Sequence, residues 1–209
     1  MEKISRVQLK ENQQIMEITN INQLDPLYGV YSYADYLLWK FKERVELFRG
    51  KLFKMSAPSA LHQEVSMRLA GELYQFFKGK DCKVFHAPFD VRLFKESQED
   101  KDIYTVEQPD ICVVCDAEKI DKRGCYGAPD LVIEILSSGN SKKGMKYKYA
   151  LYEEAKVPEY WIIDPDHQNV LVYVLKDGKY QNPMNIIEGV IPSEKFPTLE
   201  LSTDDIFFN

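Results

Sequence analysis

The clearest periodic pattern of apolar residues runs from Ser59 to Phe77. Five apolar positions follow one another at intervals of four, four, four and three residues, namely Leu61, Val65, Leu69, Leu73 and Phe76. Intervals of three and four residues place side chains on one face of an α-helix. The pattern therefore predicts an amphipathic helix, and we expect its apolar face to pack on a sheet.

Short apolar runs bounded by turn residues predict strands along much of the remaining chain. Two pairs of such runs are predicted to form hairpins, because Arg49-Gly50 and Asp177-Gly178 stand between them as turn residues. The predicted hairpins are VELFRGKLFKMS and NVLVYVLKDGKYQ, and the other predicted strands lie in CKVFHAP, DVRLFK, EQPDICVVCD, PDLVIEILSS and EYWIID.

Two more helices are predicted, a short one in SYADYLLWKFKER and a longer one in KKGMKYKYALYEEAK. Asn140 or Ser141 can cap the start of the longer helix. It should end before Val157-Pro158, because the residue that precedes a proline disfavours α geometry.

The order of these elements is helix, several strands, helix and strand. Such an order predicts an α/β or α+β fold in which a mixed central sheet is flanked by helices, with extra β-hairpins. The sequence contains no repeat and no low-complexity linker. We therefore expect an N-terminal arm over residues 1–30 and one domain over residues 31–209.

Composition and charge exclude some classes of protein and leave others open. The chain is 44% hydrophobic and 29% charged, which is ordinary for a folded globular protein. It has no apolar run near the roughly 20 residues of a membrane span, and its start lacks the hydrophobic core of a signal peptide, so we expect a cytoplasmic protein without a membrane partner. The net charge of -6 argues against nonspecific coating of nucleic acid, but it permits a local basic groove.

The four cysteines raise the question of a zinc site or a disulfide. Cys112 and Cys115 form a C-x-x-C pair, but on a predicted strand residues three apart point to opposite faces. No second closely spaced pair of cysteines or histidines completes a ligand set. We therefore favour buried free thiols, at Cys82, Cys112, Cys115 and Cys125, over a zinc site.

Two acidic residues, one within a Pro-Asp pair and one after such a pair, lie at entries into strands and are candidates for chemistry. Glu134 lies inside the apolar run LVIEIL, where an uncompensated charge costs several kcal/mol, so its carboxylate must be paired, protonated or bound to a metal. Asp110 stands at the start of the run ICVV. If the two strands are neighbours, the carboxylates form an oxygen-rich site that suits Mg²⁺ or Mn²⁺.

A helical wheel of the second long helix selects one of its lysines. With about 100° per residue and Leu151 at zero, Lys148 falls near 60°, within the apolar arc, whereas Lys142, Lys143 and Lys146 fall at its margin or on the far side. Lys148 should therefore meet a buried carboxylate. An ammonium group beside two carboxylates and a divalent ion could stabilise charge that develops on a phosphate.

Each of these residues also has a purely structural interpretation. Asp110 can close the Pro-Asp turn through an Asx contact, and Glu134 can belong to a structural ion pair. Lys148 can lay its apolar stem along the core and keep its charged end in water. The other three lysines can form a solvated helix face. The residues alone leave both interpretations open.

The chain resembles the restriction-endonuclease family often called Uma-two, a branch of the PD-(D/E)XK nuclease superfamily. The resemblance covers roughly residues 31–175 and rests on the order and spacing of the motifs VELFRG, APSALHQEV, APFDVRL, QPDICVV, APDLVIEILS, KYKYALYEEAKVPEYWIIDP and VLVYVL. It implies a restriction-endonuclease-like fold, a mixed central sheet flanked by helices, and metal-dependent cleavage of phosphodiester bonds.

The resemblance assigns roles to individual residues. Asp110 matches the aspartate of the PD motif, and Glu134 matches the glutamate of the (D/E)XK strand. Position 136, where the superfamily usually has its lysine, is Leu. In this family the basic role moves to the following helix, at the position of Lys148, which the wheel selects independently.

The resemblance implies three further site positions, which we rank below Asp110, Glu134 and Lys148. Glu46 matches an acidic residue that the family places near the metal. Gln63, or its neighbour His62, lies on the first long helix, which can line the same cleft. The carbonyl group of Ile135 can join Asp110 and Glu134 as a ligand of Mg²⁺ or Mn²⁺.

The function that we expect is metal-assisted hydrolysis of nucleic acid, with DNA as the substrate and a homodimer as the assembly. The alternative is a degenerate nuclease fold that binds nucleic acid or a partner protein without cutting it. The nuclease hypothesis requires the side chains of Asp110, Glu134 and Lys148 to meet in one pocket. The positions of these three residues therefore distinguish the two hypotheses.

Overall fold

The computed structural model describes residues 17–93, 97–137 and 142–208 of the chain. Its helices are α1 (Tyr33–Tyr36), α2 (Ala60–Phe77), α3 (Lys142–Glu154) and α4 (Thr203–Phe207). Its strands are β1 (Val45–Phe48), β2 (Lys51–Lys54), β3 (Lys83–His86), β4 (Val91–Leu93), β5 (Thr105–Glu107), β6 (Ile111–Val114), β7 (Ile120–Asp121), β8 (Gly124–Tyr126), β9 (Leu131–Ile135), β10 (Glu159–Asp164), β11 (Asn169–Lys176), β12 (Lys179–Tyr180) and β13 (Met184–Ile186).

The described residues divide into two compact units. The first comprises the described parts of Met1–Ser56 and Arg92–Glu107, and the second comprises those of Ala57–Val91 and Gln108–Asn209. The expected division into an arm over residues 1–30 and one domain over residues 31–209 stays a prediction.

The first unit is built on strands in the order β2, β1, β5 and β4. Strands β1 and β2 pair as the predicted hairpin, so this prediction is confirmed. The turn of the hairpin is formed by Arg49 (φ 49°) and Gly50 (φ 77°). Two successive left-handed residues give the type I′ geometry that suits the twist of a two-residue hairpin. The predicted short helix ends early, because the chain leaves α1 to form an isolated bridge between Trp39 and Ile18.

The second unit is a mixed sheet with the strand order β12, β11, β10, β9, β6 and β3, and β13 pairs with β11. Strand β9 runs parallel to β10 and antiparallel to β6. The second predicted hairpin is also confirmed, with its turn at Asp177 and Gly178. This mixed sheet with helices packed on it confirms the predicted fold class.

Helix α2 covers one face of this sheet. Ser59 caps its start by accepting a hydrogen bond from the backbone N–H of His62. Its buried stripe consists of His62, Val65, Leu69, Leu73 and Phe77, whereas Leu61 is 45% exposed. The predicted helix is confirmed, but its first turn presents His62 to the interior in place of Leu61. The stripe packs on apolar residues of β6, β9 and β10.

Helix α3 contacts the opposite face of the sheet. The ring centroids of Tyr152 in α3 and Tyr160 in β10 are 5.0 Å apart. The next residue of the strand, Trp161, belongs to the core that packs against α2. Successive strand residues point to opposite faces, so the two helices sandwich the sheet. The predicted caps of α3, Asn140 and Ser141, lie outside the described residues.

The end of α3 is tied to the last hairpin. Glu153 accepts hydrogen bonds from Lys179 Nζ and from the backbone N–H of Tyr180, each at 2.8 Å. The bond from Lys179 is the main reason that the pKa of Glu153 lies below its ordinary value of 4.5. The Tyr180 hydroxyl donates to the carbonyl of Val157 at 3.0 Å.

The prediction of four free thiols is wrong for two of them. Cys82 and Cys115 form a disulfide, while Cys112 and Cys125 are free and buried. Strands β3 and β6 pair Lys83 with Val114, so continuing the register by one pair sets the two bonded cysteines opposite each other. Among the helices of the described ranges, none is long and apolar enough to cross a membrane.

Candidate active site

Asp110 stands at the entrance of β6, beside the peptide bond between Glu134 and Ile135. Strands β6 and β9 pair Ile111 with Ile133, and one further step of this register sets Asp110 opposite Glu134. The backbone N–H of Ile135 donates to Asp110 Oδ2 at 2.8 Å. The predicted neighbouring strands are thus present, and their register sets the backbones of the two acidic residues opposite each other.

Glu134 lies within β9, between β6 and β10, and its side chain is only 9% exposed. Lys148 Nζ donates to Glu134 Oε1 at 2.8 Å, and the hydroxyl of Tyr152 donates to the same oxygen at 2.7 Å. Two donors, one of them cationic, compensate much of the cost of burying this carboxylate.

Helix α3 supplies both donors from one face, because residues four apart are neighbours on a helix surface. Lys148 keeps a quarter of its side chain exposed, whereas Tyr152 is fully buried. The contact between Lys148 and a buried carboxylate is the one that the helical wheel predicts. Tyr152 is a polar partner that the sequence analysis missed; its spacing of four from Lys148 was the available signal.

His62 reaches the site from the first turn of α2. Its Nε2 lies 3.2 Å from Asp110 Oδ2, and its Nδ1 is buried without a hydrogen-bond partner among the described residues. The hydrogen bond to Asp110 raises the pKa of His62 above its ordinary value, although burial opposes the rise. The sequence left His62 as the second choice to Gln63; its place three residues before Val65, on the buried stripe, was the signal that favoured it.

The other predicted site residues do not take part in the contacts described for Asp110 and Glu134. Gln63 is exposed on α2, and it is its neighbour His62 that contacts Asp110. Glu46 is buried in β1 of the first unit. Lys146 is exposed on α3. The predicted site roles of Gln63 and Glu46 stay predictions. The side chains of Lys142 and Lys143 fall outside the described residues.

Burial removes one competing nucleophile. Cys112 lies in β6 opposite Val132, and burial raises the pKa of its thiol well above the ordinary value; the charge of Glu134 acts in the same direction. A thiol that stays protonated is a poor nucleophile. Cys112 is therefore not a candidate nucleophile at this site.

The donor set at this place fits a hard divalent cation. Asp110 offers carboxylate oxygens beside the Ile135 peptide group, and the neighbouring Glu134 offers those of its own side chain. The described residues contain no group of three or more His, Cys, Asp or Glu side chains arranged to hold a metal ion. Mg²⁺ does not need such a cage, because it is usually held by one or two carboxylates while waters and substrate phosphates complete its shell.

Comparison with known proteins gives first a structure with the same fold and then the family of this chain. The crystal structure of a putative nuclease belonging to DUF820, from Anabaena variabilis ATCC 29413, shares the fold with a TM-score of 0.65 and 23% identity; the match covers 85% of this chain and 97% of that one. The model of the Uma2 family, described as "Putative restriction endonuclease", matches residues 33–204. The chain therefore belongs to the Uma2 family, which confirms the resemblance seen in its motifs.

One curated relative extends the comparison. The chain is 27% identical over 120 residues to "Uncharacterized protein slr1290" of Synechocystis sp., and the match covers 56% of this chain. The chain spans 60% of the length of that relative.

Proposed function

We propose that this protein is a metal-dependent nuclease that hydrolyses phosphodiester bonds in DNA at Asp110, Glu134 and Lys148. The observation that carries the proposal is the buried Glu134, which accepts a hydrogen bond from Lys148 at 2.8 Å while Asp110 binds the adjacent peptide N–H. Membership of a family described as restriction endonucleases supports the same reaction.

Asp110, Glu134 and the carbonyl group of Ile135 would hold Mg²⁺ or Mn²⁺. A divalent cation held there would polarise a phosphate oxygen and would make a coordinated water more acidic. The protein supplies the fixed carboxylates: one is held at the start of β6, the other within a fully buried strand.

Lys148 supplies positive charge at the exposed side of the site. A quarter of its side chain is accessible, so a phosphate oxygen can approach the ammonium group, while its hydrogen bond to Glu134 fixes the direction of the side chain. A positioned cation stabilises the negative charge that grows on the phosphate in the transition state. The buried His62 of α2 contacts Asp110, and the buried Tyr152 of α3 contacts Glu134.

DNA is the substrate that we propose, and exposed lysines of α3 such as Lys146 could contact the flanking phosphates. Such contacts would be independent of sequence and weakened by salt. The homodimer and the cytoplasmic location expected from the sequence stay predictions; light scattering after size-exclusion chromatography tests the former.

The test is a cleavage assay with supercoiled, linear and single-stranded DNA and with single-stranded RNA, each with Mg²⁺, with Mn²⁺ and with EDTA. We expect cleavage of DNA that requires the cation and is lost in Asp110→Ala, Glu134→Ala and Lys148→Ala. Lys179→Ala is the matched control, because it removes a lysine that also pairs with a glutamate at 2.8 Å, but with Glu153 and not with Glu134.

The outcomes separate the two candidate functions. Cleavage that survives all three substitutions would place the active site elsewhere. Binding of DNA without cleavage, unaffected by these substitutions, would favour the degenerate module that binds without cutting.

A further inference from the structure

We infer that His62 and Tyr152 are positioning residues, each of which fixes one of the two acidic side chains of the site through a single carboxylate oxygen. The inference rests on the proposed function, because it concerns how Asp110 and Glu134 are presented to a divalent cation.

At Asp110 the two donors converge on Oδ2. The Ile135 N–H lies 2.8 Å from this oxygen and His62 Nε2 lies 3.2 Å from it. The other oxygen, Oδ1, accepts no hydrogen bond from the described part of the chain. Two donors on one oxygen fix the rotation of a carboxylate, because turning it would break both bonds at once. The geometry therefore leaves Oδ1 as the coordinating atom.

At Glu134 two donors also meet on one carboxylate oxygen. Lys148 Nζ and the Tyr152 hydroxyl both donate to Oε1, at 2.8 and 2.7 Å. The two donors differ in exposure: Tyr152 is fully buried, whereas Lys148 is a quarter exposed. Tyr152 can thus keep Glu134 in place when the ammonium group of Lys148 moves toward a phosphate.

The expected size of the effect follows from other metal sites. Removing a hydrogen-bond partner of a ligand typically lowers metal affinity or activity by about 10- to 100-fold. Tyr152→Phe deletes one hydroxyl and keeps the ring, so it should lower the Mn²⁺ affinity within this range. His62→Leu should do the same. His62→Gln should retain most of the affinity, because the glutamine amide can place a donor near the position of Nε2.

The experiment measures Mn²⁺ affinity by isothermal titration calorimetry on the full chain, with the melting temperature of each variant recorded in parallel. Tyr180→Phe is the matched control, since it also deletes a buried tyrosine hydroxyl, one that donates to the carbonyl of Val157 and contacts neither carboxylate. His62→Asn is the second control, because its shorter amide cannot reach Asp110. If His62→Leu does not fold, the comparison of His62→Gln with His62→Asn replaces it.

We expect weaker Mn²⁺ binding for Tyr152→Phe, His62→Leu and His62→Asn, and binding close to wild type for His62→Gln and Tyr180→Phe. Unchanged affinity in Tyr152→Phe and His62→Asn would overturn the inference, as would a loss that follows melting temperature in every variant, Tyr180→Phe included. A wild type that binds Mn²⁺ at these residues but does not cut nucleic acid contradicts the proposed function alone. A wild type that binds no Mn²⁺ contradicts both.

Discussion

The pair formed by Lys148 and Glu134 gives the sharpest prediction of stability. Lys148→Met keeps the length of the side chain and removes its charge, which leaves a carboxylate that is only 9% exposed without its ammonium partner. Breaking a buried ion pair by removing one partner costs about 3–5 kcal/mol. Because a quarter of the Lys148 side chain is exposed, solvent screens the charge, and we expect about 2–3 kcal/mol for this substitution.

The second arm of the experiment removes the charge of Glu134. Glu134→Gln leaves a neutral side chain, so Lys148→Met should cost far less in its presence. The coupling between the two substitutions should therefore be about 1.5–2.5 kcal/mol, well above the roughly 0.3–0.5 kcal/mol within which independent sites add. The measurement is urea unfolding of the four proteins at neutral pH with EDTA.

The pair formed by Lys179 and Glu153 is the control for this cycle. Its N–O distance is also 2.8 Å, but the Lys179 side chain is 76% exposed. Exposed pairs couple by less than about 1 kcal/mol. Equal coupling in the two cycles, or additive effects of Lys148→Met and Glu134→Gln, would refute the reasoning that burial makes the Lys148 contact strong.

Three further predictions concern parts of the second unit away from the site. The Cys82–Cys115 disulfide closes a loop with a sequence separation of 33, so Cys82→Ser should lower the free energy of unfolding by up to about 3–4 kcal/mol, and thiol titration of the unreduced, denatured wild type should find only the two free cysteines. Gly124→Ala should lower the free energy of unfolding, measured in urea, by more than about 2 kcal/mol. Gly124 has φ 126°, and a Cβ there would overlap the carbonyl oxygen of Asp90. A melting temperature equal to that of wild type would contradict this packing. Glu153 has a lowered pKa in the folded state, so ionised Glu153 should stabilise the fold above pH 4.5, and this contribution should be lost as the pH falls through the folded-state pKa. The difference in the free energy of unfolding between wild type and Glu153→Gln should therefore shrink from pH 7 to pH 3.

Local patterns carried enough information to locate most elements of the second unit. Helix α2 and strands β9 and β10 follow from periodicity and from continuous apolar runs. Both hairpins follow from turn residues that tolerate positive φ. The wheel that singled out Lys148 worked because the charge lies inside an apolar arc, a conflict that the contact with the buried Glu134 resolves.

The features that sequence reasoning missed depend on which strands become neighbours. The disulfide requires β3 to pair with β6 in one particular register, which no local pattern specifies. Tyr152 was missed as a polar partner, because a tyrosine on a helix is equally typical of an apolar core. His62 was ranked beside Gln63, because a difference of one residue rotates a side chain by about 100° around the helix axis.

The most direct test of the central claim is a crystal structure of the protein with Mn²⁺, located by its anomalous scattering. The claim is that Asp110 and Glu134 jointly hold the cation. It predicts an anomalous peak within coordination distance of oxygens from both carboxylates, and loss of that peak in Asp110→Ala. A peak that lies elsewhere at saturating Mn²⁺, or a site that persists in Asp110→Ala, would contradict the account.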